Sequence, residues 1–136
     1  ILSDLKHDIA RELIKNSGIL NDLEITSIAD VPSGTGLGSP STYAVGLEHA
    51  LSAYKGEFRS KFDLAETACD IEINILNKPI GKQDQYAASF GGINLIEFGK
   101  YGDVTVSPIA LKQETLREMS GRFLMFYTGE RRSADD

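Results

Sequence analysis

Residues 32–41 read Pro-Ser-Gly-Thr-Gly-Leu-Gly-Ser-Pro-Ser and run directly into residues 42–54, where Val45, Leu47, Ala50, Leu51 and Tyr54 fall at helical spacings before Lys55-Gly56 closes the run. A glycine loop that feeds a helix is the organising element of the chain. Upstream, residues 23–30 (LEITSIAD) are rich in β-formers and read as a strand entering the turn at Pro32. Further upstream, residues 1–17 place Leu2, Leu5, Ile9 and Leu13 on one face of an amphipathic helix that Gly18 ends. Downstream, a helix is expected over 63–76, with Asp63 as its N-cap candidate and Glu66 three residues on. Pro79 and Gly81 break it, and a short helical turn follows over 82–89. Then come a strand over 93–98, a hairpin connection over 99–103 into 104–106, a short helix over 113–119 and a strand over 122–127. This order is α+β with two-layer packing of helices on a sheet.

Composition narrows the function classes. A chain of 136 residues fits one domain, and 41% hydrophobic with 25% charged residues is a globular balance. No apolar run approaches a bilayer span, and Asp4, Lys6 and Asp8 interrupt what would be a signal-peptide core, so a cytoplasmic protein without membrane partners is expected. The lone Cys69 excludes an internal disulfide and a cysteine zinc cage, and is expected as a small core residue. A net charge of −6 disfavours nucleic acid as a partner. The first residue is Ile1 and the last two are Asp135-Asp136, which suggests a piece of a longer protein.

The loop itself points to an anion. Gly34, Gly36 and Gly38 stand at alternate positions, where absent Cβ atoms allow positive φ and let successive N–H groups converge. The following helix aims its positive end at the same point, so phosphate is the natural ligand. No lysine follows Gly38, which excludes a Walker A loop, and the spacing is not that of a dinucleotide fingerprint. The structural alternative is a turn in which Ser39 caps the helix and Pro40 takes its first position.

Pro32-Ser33-Gly34-Thr35-Gly36-Leu37-Gly38-Ser39 resembles the P-x-x-x-G-L-G-S-S loop of the GHMP kinases, the family of galactokinase, homoserine kinase, mevalonate kinase and phosphomevalonate kinase. The resemblance implies ATP as phosphoryl donor, its phosphates held by Gly34, Thr35, Gly36, Leu37, Gly38, Ser39 and Ser41. Pro40 stands where the family carries its second serine, and it motivates an alternative: a non-catalytic sugar- or nucleotide-binding protein on the same fold.

Glu72 and Asp84 lie in the second informative stretch, EINILNKPIGKQDQY. Phosphoryl transfer to a hydroxyl uses a cation on the phosphates, held by a carboxylate, and a second carboxylate beside the acceptor. Read singly, Glu72 is a solvated helix residue and Asp84 an N-cap. The family pattern of a helix glutamate, a Pro/Gly turn and G-x-x-D-Q matches Glu72, Pro79, Gly81, Asp84 and Gln85. By that likeness Glu72 ligates Mg2+ and Asp84 is the catalytic base or acceptor-orienting group. Residues 81–94 and the ending from Phe126 are most similar to the heptose 7-phosphate kinase subfamily, which implies a sugar phosphate, a heptose 7-phosphate, as small-molecule partner.

Lys82, Arg131 and Arg132 are candidate contacts for the substrate phosphate, against the alternative of plain surface charge. His7, His49, Tyr43 and Tyr86 are assigned to structure and packing. The family's N-terminal P-G-R-type motif and its second glycine-rich loop do not occur here. Residues 1–136 are therefore expected to be part of the N-terminal, ATP-binding domain without the C-terminal domain, and to have little kinase activity in isolation.

Overall fold

The structure, a computed structural model, describes residues 2–19, 22–31 and 34–126. Its first helix, α1 (Asp8–Ser17), is shorter than the 1–17 periodicity predicts. The imidazole Nδ1 of His7 accepts from the Ala10 N–H at 3.4 Å, and this cap starts the helix at Asp8. Residues Leu2–Asp4 form a separate 3₁₀ turn, with Leu2 and Leu5 outside the core. Gly18, at φ 68°, ends α1 in the left-handed conformation that glycine adopts without Cβ strain.

Helix α2 (Ser39–Lys55) is central. Its Ala44, Val45, Leu47 and Leu51 meet Ile9 and Leu13 of α1 and Leu64 and Ala68 of α3 (Lys61–Cys69) in the main core. Each fully buried Leu or Ile here contributes about 1.5–3 kcal/mol of transfer free energy. The N-cap of α3 is Ser60 and not Asp63. The Ser60 hydroxyl accepts from the Asp63 N–H at 3.1 Å, and the Asp63 carboxylate accepts from the Ser60 N–H at 3.1 Å. Asp63 is thus the third helical residue of a reciprocal box, and Glu66 is left for other work.

The helix expected to continue to Leu76 changes character at Asp70. Residues Asp70–Ile75 form a π-helical segment, closed by the Leu76 N–H donating to the Ile71 carbonyl at 2.9 Å. The widened turn buries both Ile71 and Glu72. Helix α4 (Gln83–Phe90) packs on α2 and α3, and an antiparallel hairpin of β1 (Asn94–Phe98) and β2 (Val104–Pro108) follows, pairing Ile96 with Val106. Ile96, Val104 and Val106 cover a second cluster of Ala65, Cys69 and Tyr86, which makes the two-layer contact. Helix α5 (Gln113–Ser120) completes an α+β fold of five helices and a two-stranded sheet among the described residues.

Two expected strands do not form among the described residues. Residues 22–30 carry no strand pairing, and Ile28 is 90% exposed. Residues 122–126 carry none either, with Phe123, Leu124, Met125 and Phe126 all exposed. Strand propensity describes how well a residue fits a half-buried pleated surface, and neither segment has a described neighbour to supply the ladder.

Candidate functional site

The glycine loop carries left-handed residues at every second position: Gly34 at φ 76°, Gly36 at φ 74° and Gly38 at φ 67°. A residue with a Cβ costs roughly 1–2 kcal/mol in this conformation. Gly38 occupies the N-cap of α2, so Ser39 is the first helical residue and Pro40 the second, correcting the expected cap at Ser39 and first position at Pro40. No side chain caps this end, and the Thr42 N–H makes the first helical bond, to the Gly38 carbonyl at 2.9 Å. Pro40 has no N–H, so Ser39 and Ser41 supply the first-turn donors. Leu37 is half-exposed and Ser41 buried. Gly34, Thr35, Gly36, Leu37, Gly38, Ser39 and Ser41 thus form one continuous loop and helix start. Leu37 and Ser39 also line a groove of about 570 Å³ between residues 25–31 and the Thr42, Tyr43 and Leu47 face of α2.

Asp84 reaches this loop from α4. A Cβ built on Gly38 lies 3.1 Å from both Cγ and Oδ2 of Asp84, tighter than ordinary contact. Glycine at 38 is therefore required twice, by φ and by the carboxylate packed against it. Asp84 does not cap α4: Lys82 holds the N-cap position and Asp84 lies in the first turn, where a carboxylate complements the helix dipole. The side chain is exposed and makes no hydrogen bond or ion pair among the described residues.

Glu72 is not the solvated residue that helix statistics suggest. It is fully buried, as is Gln85, whose side-chain N–H donates to Glu72 Oε1 at 2.8 Å. Among the described residues, Glu72 Oε2 and Gln85 Oε1 have no hydrogen-bond partner. A buried carboxylate held by one amide is electrostatically incomplete, which fits a group that receives a cation. Among the described residues no cluster of three or more Asp, Glu, His or Cys side chains can form an all-protein metal cage. Mg2+ is commonly held through one or two carboxylates together with substrate phosphates. Glu72 fits such an ion by chemistry.

A third group joins α3 to the start of α4. Lys82 Nζ donates to both carboxylate oxygens of Glu66, at 3.1 and 3.3 Å, and the Tyr86 hydroxyl donates to Glu66 Oε1. Burial, and then the Glu66 carboxylate, push the Tyr86 phenol well above its ordinary range. The Tyr86 ring packs at 5.7 Å from Phe62 and 6.1 Å from Phe90 and Phe98, in keeping with its assignment to packing. Burial, and then Glu66, push the Cys69 thiol up to about 12, so it stays a neutral core group. Lys82 also lines a groove of about 410 Å³ against the hairpin turn. Arg131 and Arg132 lie outside the described residues. Gln85 belongs to the G-x-x-D-Q motif and Glu66 to the capping pattern after Asp63. The contacts that Gln85 makes with Glu72, and Glu66 with Lys82 and Tyr86, come instead from burial and from helices meeting, which no local pattern discloses.

No helix among the described residues is long and apolar enough to cross a membrane. Residues 5–92, well over half of the chain, match the family described as GHMP kinases N terminal domain. The D-glycero-alpha-D-manno-heptose 7-phosphate kinase of Campylobacter jejuni subsp. jejuni serotype O:2 is 38% identical over 108 residues, which cover 79% of this chain and 32% of that protein. The chain thus spans about a third of the length of this curated relative. Among solved structures, a D-glycero-D-manno-heptose 1-phosphate kinase from Bacteriodes thetaiotaomicron matches with a TM-score of 0.70 and 30% identity, over 87% of this chain and 40% of that one. With the family's domain matched through both the glycine loop and the Asp84-Gln85 turn, the chain belongs to the GHMP kinases.

Proposed function

We propose that this chain is part of the N-terminal, ATP-binding domain of a sugar kinase that transfers the γ-phosphoryl group of ATP to a hydroxyl of a heptose phosphate. The observation that carries this reading is the packing of Asp84 against Gly38. It sets a free carboxylate beside a loop whose backbone suits phosphate, which is the juxtaposition that phosphoryl transfer to a hydroxyl needs. The N–H groups of residues 34–39 and of Ser41 bind the nucleotide phosphates, helped by the positive end of α2. Asp84 orients the acceptor hydroxyl and accepts its proton. Glu72, kept in place by Gln85, holds Mg2+, which supplies positive charge to the phosphates when bound. Lys82, at the rim of the hairpin groove, and Arg131 and Arg132 furnish cationic contacts for the sugar phosphate. The names of the relatives support a heptose phosphate, and the cytoplasm, with its ATP supply, is the proposed setting of the reaction. The remaining parts of the cleft belong to the roughly two-thirds of the relative's length that this chain does not span.

The test is ADP formation by the full-length protein with Mg-ATP over a panel including heptose 7-phosphate and heptose 1-phosphate. Turnover with a heptose phosphate that falls by at least about a thousandfold in Asp84→Asn is the expected result, a loss of about 4 kcal/mol of transition-state stabilisation. Binding of nucleotide or sugar without turnover on any member would instead establish a non-catalytic binding protein. Pro40, at the second position of α2, is the residue that motivates that second reading.

A further inference from the structure

Among the described residues no hydrogen bond or ion pair joins Glu66 to the glycine loop or to Glu72, yet it holds the turn on which the site depends. Its carboxylate sits on α3 and accepts from two groups of one other element: Lys82 Nζ at the N-cap of α4, and the hydroxyl of Tyr86 one turn later. Those two residues bracket Asp84 and Gln85, and the Tyr86 N–H donates to the Lys82 carbonyl at 3.3 Å, closing the turn. The Tyr86 ring, fully buried among Phe62, Phe90 and Phe98, cannot swing to another acceptor without leaving its aromatic cage.

Rotation or sliding of α4 along α3 must break both hydrogen-bonded struts together. The same motion carries Asp84 away from Gly38 and the Gln85 amide away from Glu72 Oε1. We propose that Glu66 is a positioning residue for phosphoryl transfer: through Lys82 and Tyr86 it fixes the first turn of α4, aiming Asp84 at the glycine loop and Gln85 at Glu72. This inference rests on the kinase reading of Asp84. It also gives Lys82 a defined tether on α3, so that its ammonium is already placed when a phosphate arrives.

Glu66→Ala, Glu66→Gln and Tyr86→Phe in the full-length protein test it by two independent readouts, steady-state ADP formation and amide hydrogen exchange. In Glu66→Ala, kcat falls at least tenfold while KM for ATP stays within threefold, because the glycine loop is untouched. The α4 amides exchange at least tenfold faster and those of α1 are unchanged. Glu66→Gln, which keeps an acceptor for the tyrosine, restores kcat to within threefold of wild type, and Tyr86→Phe falls between. Wild-type kcat and α4 protection in a folded Glu66→Ala protein overturn the proposal. So does faster exchange in α1 and α4 alike, which marks a general loss of stability. Should Glu66→Ala not fold, wild-type values for both readouts in Tyr86→Phe, which removes the hydroxyl strut and keeps the ring, overturn it equally. Absence of turnover in the wild type sinks the kinase reading by itself, and α4 exchange still decides whether Glu66 is the clamp.

Discussion

Glu48 and Glu72 are both buried carboxylates, on α2 and on the π-helical segment, and they are satisfied in opposite ways. Glu48 accepts from the Ser52 hydroxyl at 3.3 Å and lies 3.6 Å from the Arg59 guanidinium, so a cation of the chain itself offsets its charge. Among the described residues, Glu72 has only the Gln85 amide, and its second oxygen is unpartnered. Isolated buried charge is expensive, and a fold tolerates it where something else completes it. Glu48 is complete within the described residues and reads as architecture. Glu72 reads as half of a site. The backbone agrees, since Glu48 lies in regular α-helix while Glu72 needs a widened turn of the kind that recurs at functional positions.

Replacement of Glu72 by Gln gives the largest effect on this contrast. The volume is kept, a donor replaces the unpartnered oxygen and the charge is gone. We expect kcat/KM of the full-length enzyme to fall at least about a hundredfold, some 2.7 kcal/mol of transition-state stabilisation. Thermal stability should hold or rise, because an uncompensated charge leaves the interior. The Mg2+ concentration for half-maximal rate should rise in parallel. Unaltered turnover with a lowered melting temperature would reverse the assignment and make Glu72 as architectural as Glu48.

Gly38→Ala probes the glycine loop, with a smaller effect. An alanine at φ 67° carries about 1–2 kcal/mol of backbone strain, and its methyl meets Asp84 at 3.1 Å. Turnover should drop roughly 10- to 100-fold, since a displacement of Asp84, the proposed base, of order 1 Å has that consequence. The double variant with Asp84→Gly removes the clash but not the strain. It should recover part of the lost stability and none of the activity. Equal stability of Gly38→Ala and its double variant would mean that the carboxylate does not press on the loop.

The parts of this arrangement differ in how far the sequence discloses them. Alternate glycines followed by a helix announce an anion site because the constraint is local: Gly34, Gly36 and Gly38 need no partner to take positive φ. Helices α2, α4 and α5 and the hairpin follow for the same reason, from periodicity and breakers. Residues 23–30 and 122–126 show the converse, since β-forming side chains state a capacity and the ladder depends on a neighbour far along the chain. The π-helical turn at Asp70–Ile75 leaves no mark in a sequence whose apolar spacing reads as continuous helix. Glu66 reads locally as a capping partner for Asp63, and only the packing of α4 onto α3 turns it toward Lys82 and Tyr86. The burial of Gln85 against Glu72 is likewise a property of two helices meeting. The family likeness supplied the pairing of Glu72 with Asp84, which spacing alone left open.

The smallest effect is expected at Glu48, and its sign separates the two carboxylates. Burial raises the Glu48 pKa above its ordinary value of 4.5, an increase that the Arg59 charge and the Ser52 hydroxyl only partly oppose. A carboxyl whose folded pKa exceeds its unfolded one contributes stability that is fully present below the unfolded pKa and is lost as pH rises through the folded pKa. Glu48→Gln mimics the protonated side chain at every pH. Relative to wild type it should therefore be nearly neutral at pH 4 and more stable by about 0–1 kcal/mol at pH 7.5, within the range found when buried ion pairs are replaced by neutral groups. Urea midpoints at the two pH values measure the difference, and kcat should not change. If the variant is instead the less stable protein at pH 7.5, the Arg59 pair outweighs burial, and Glu48 is bound to its cation more tightly than the 3.6 Å separation implies.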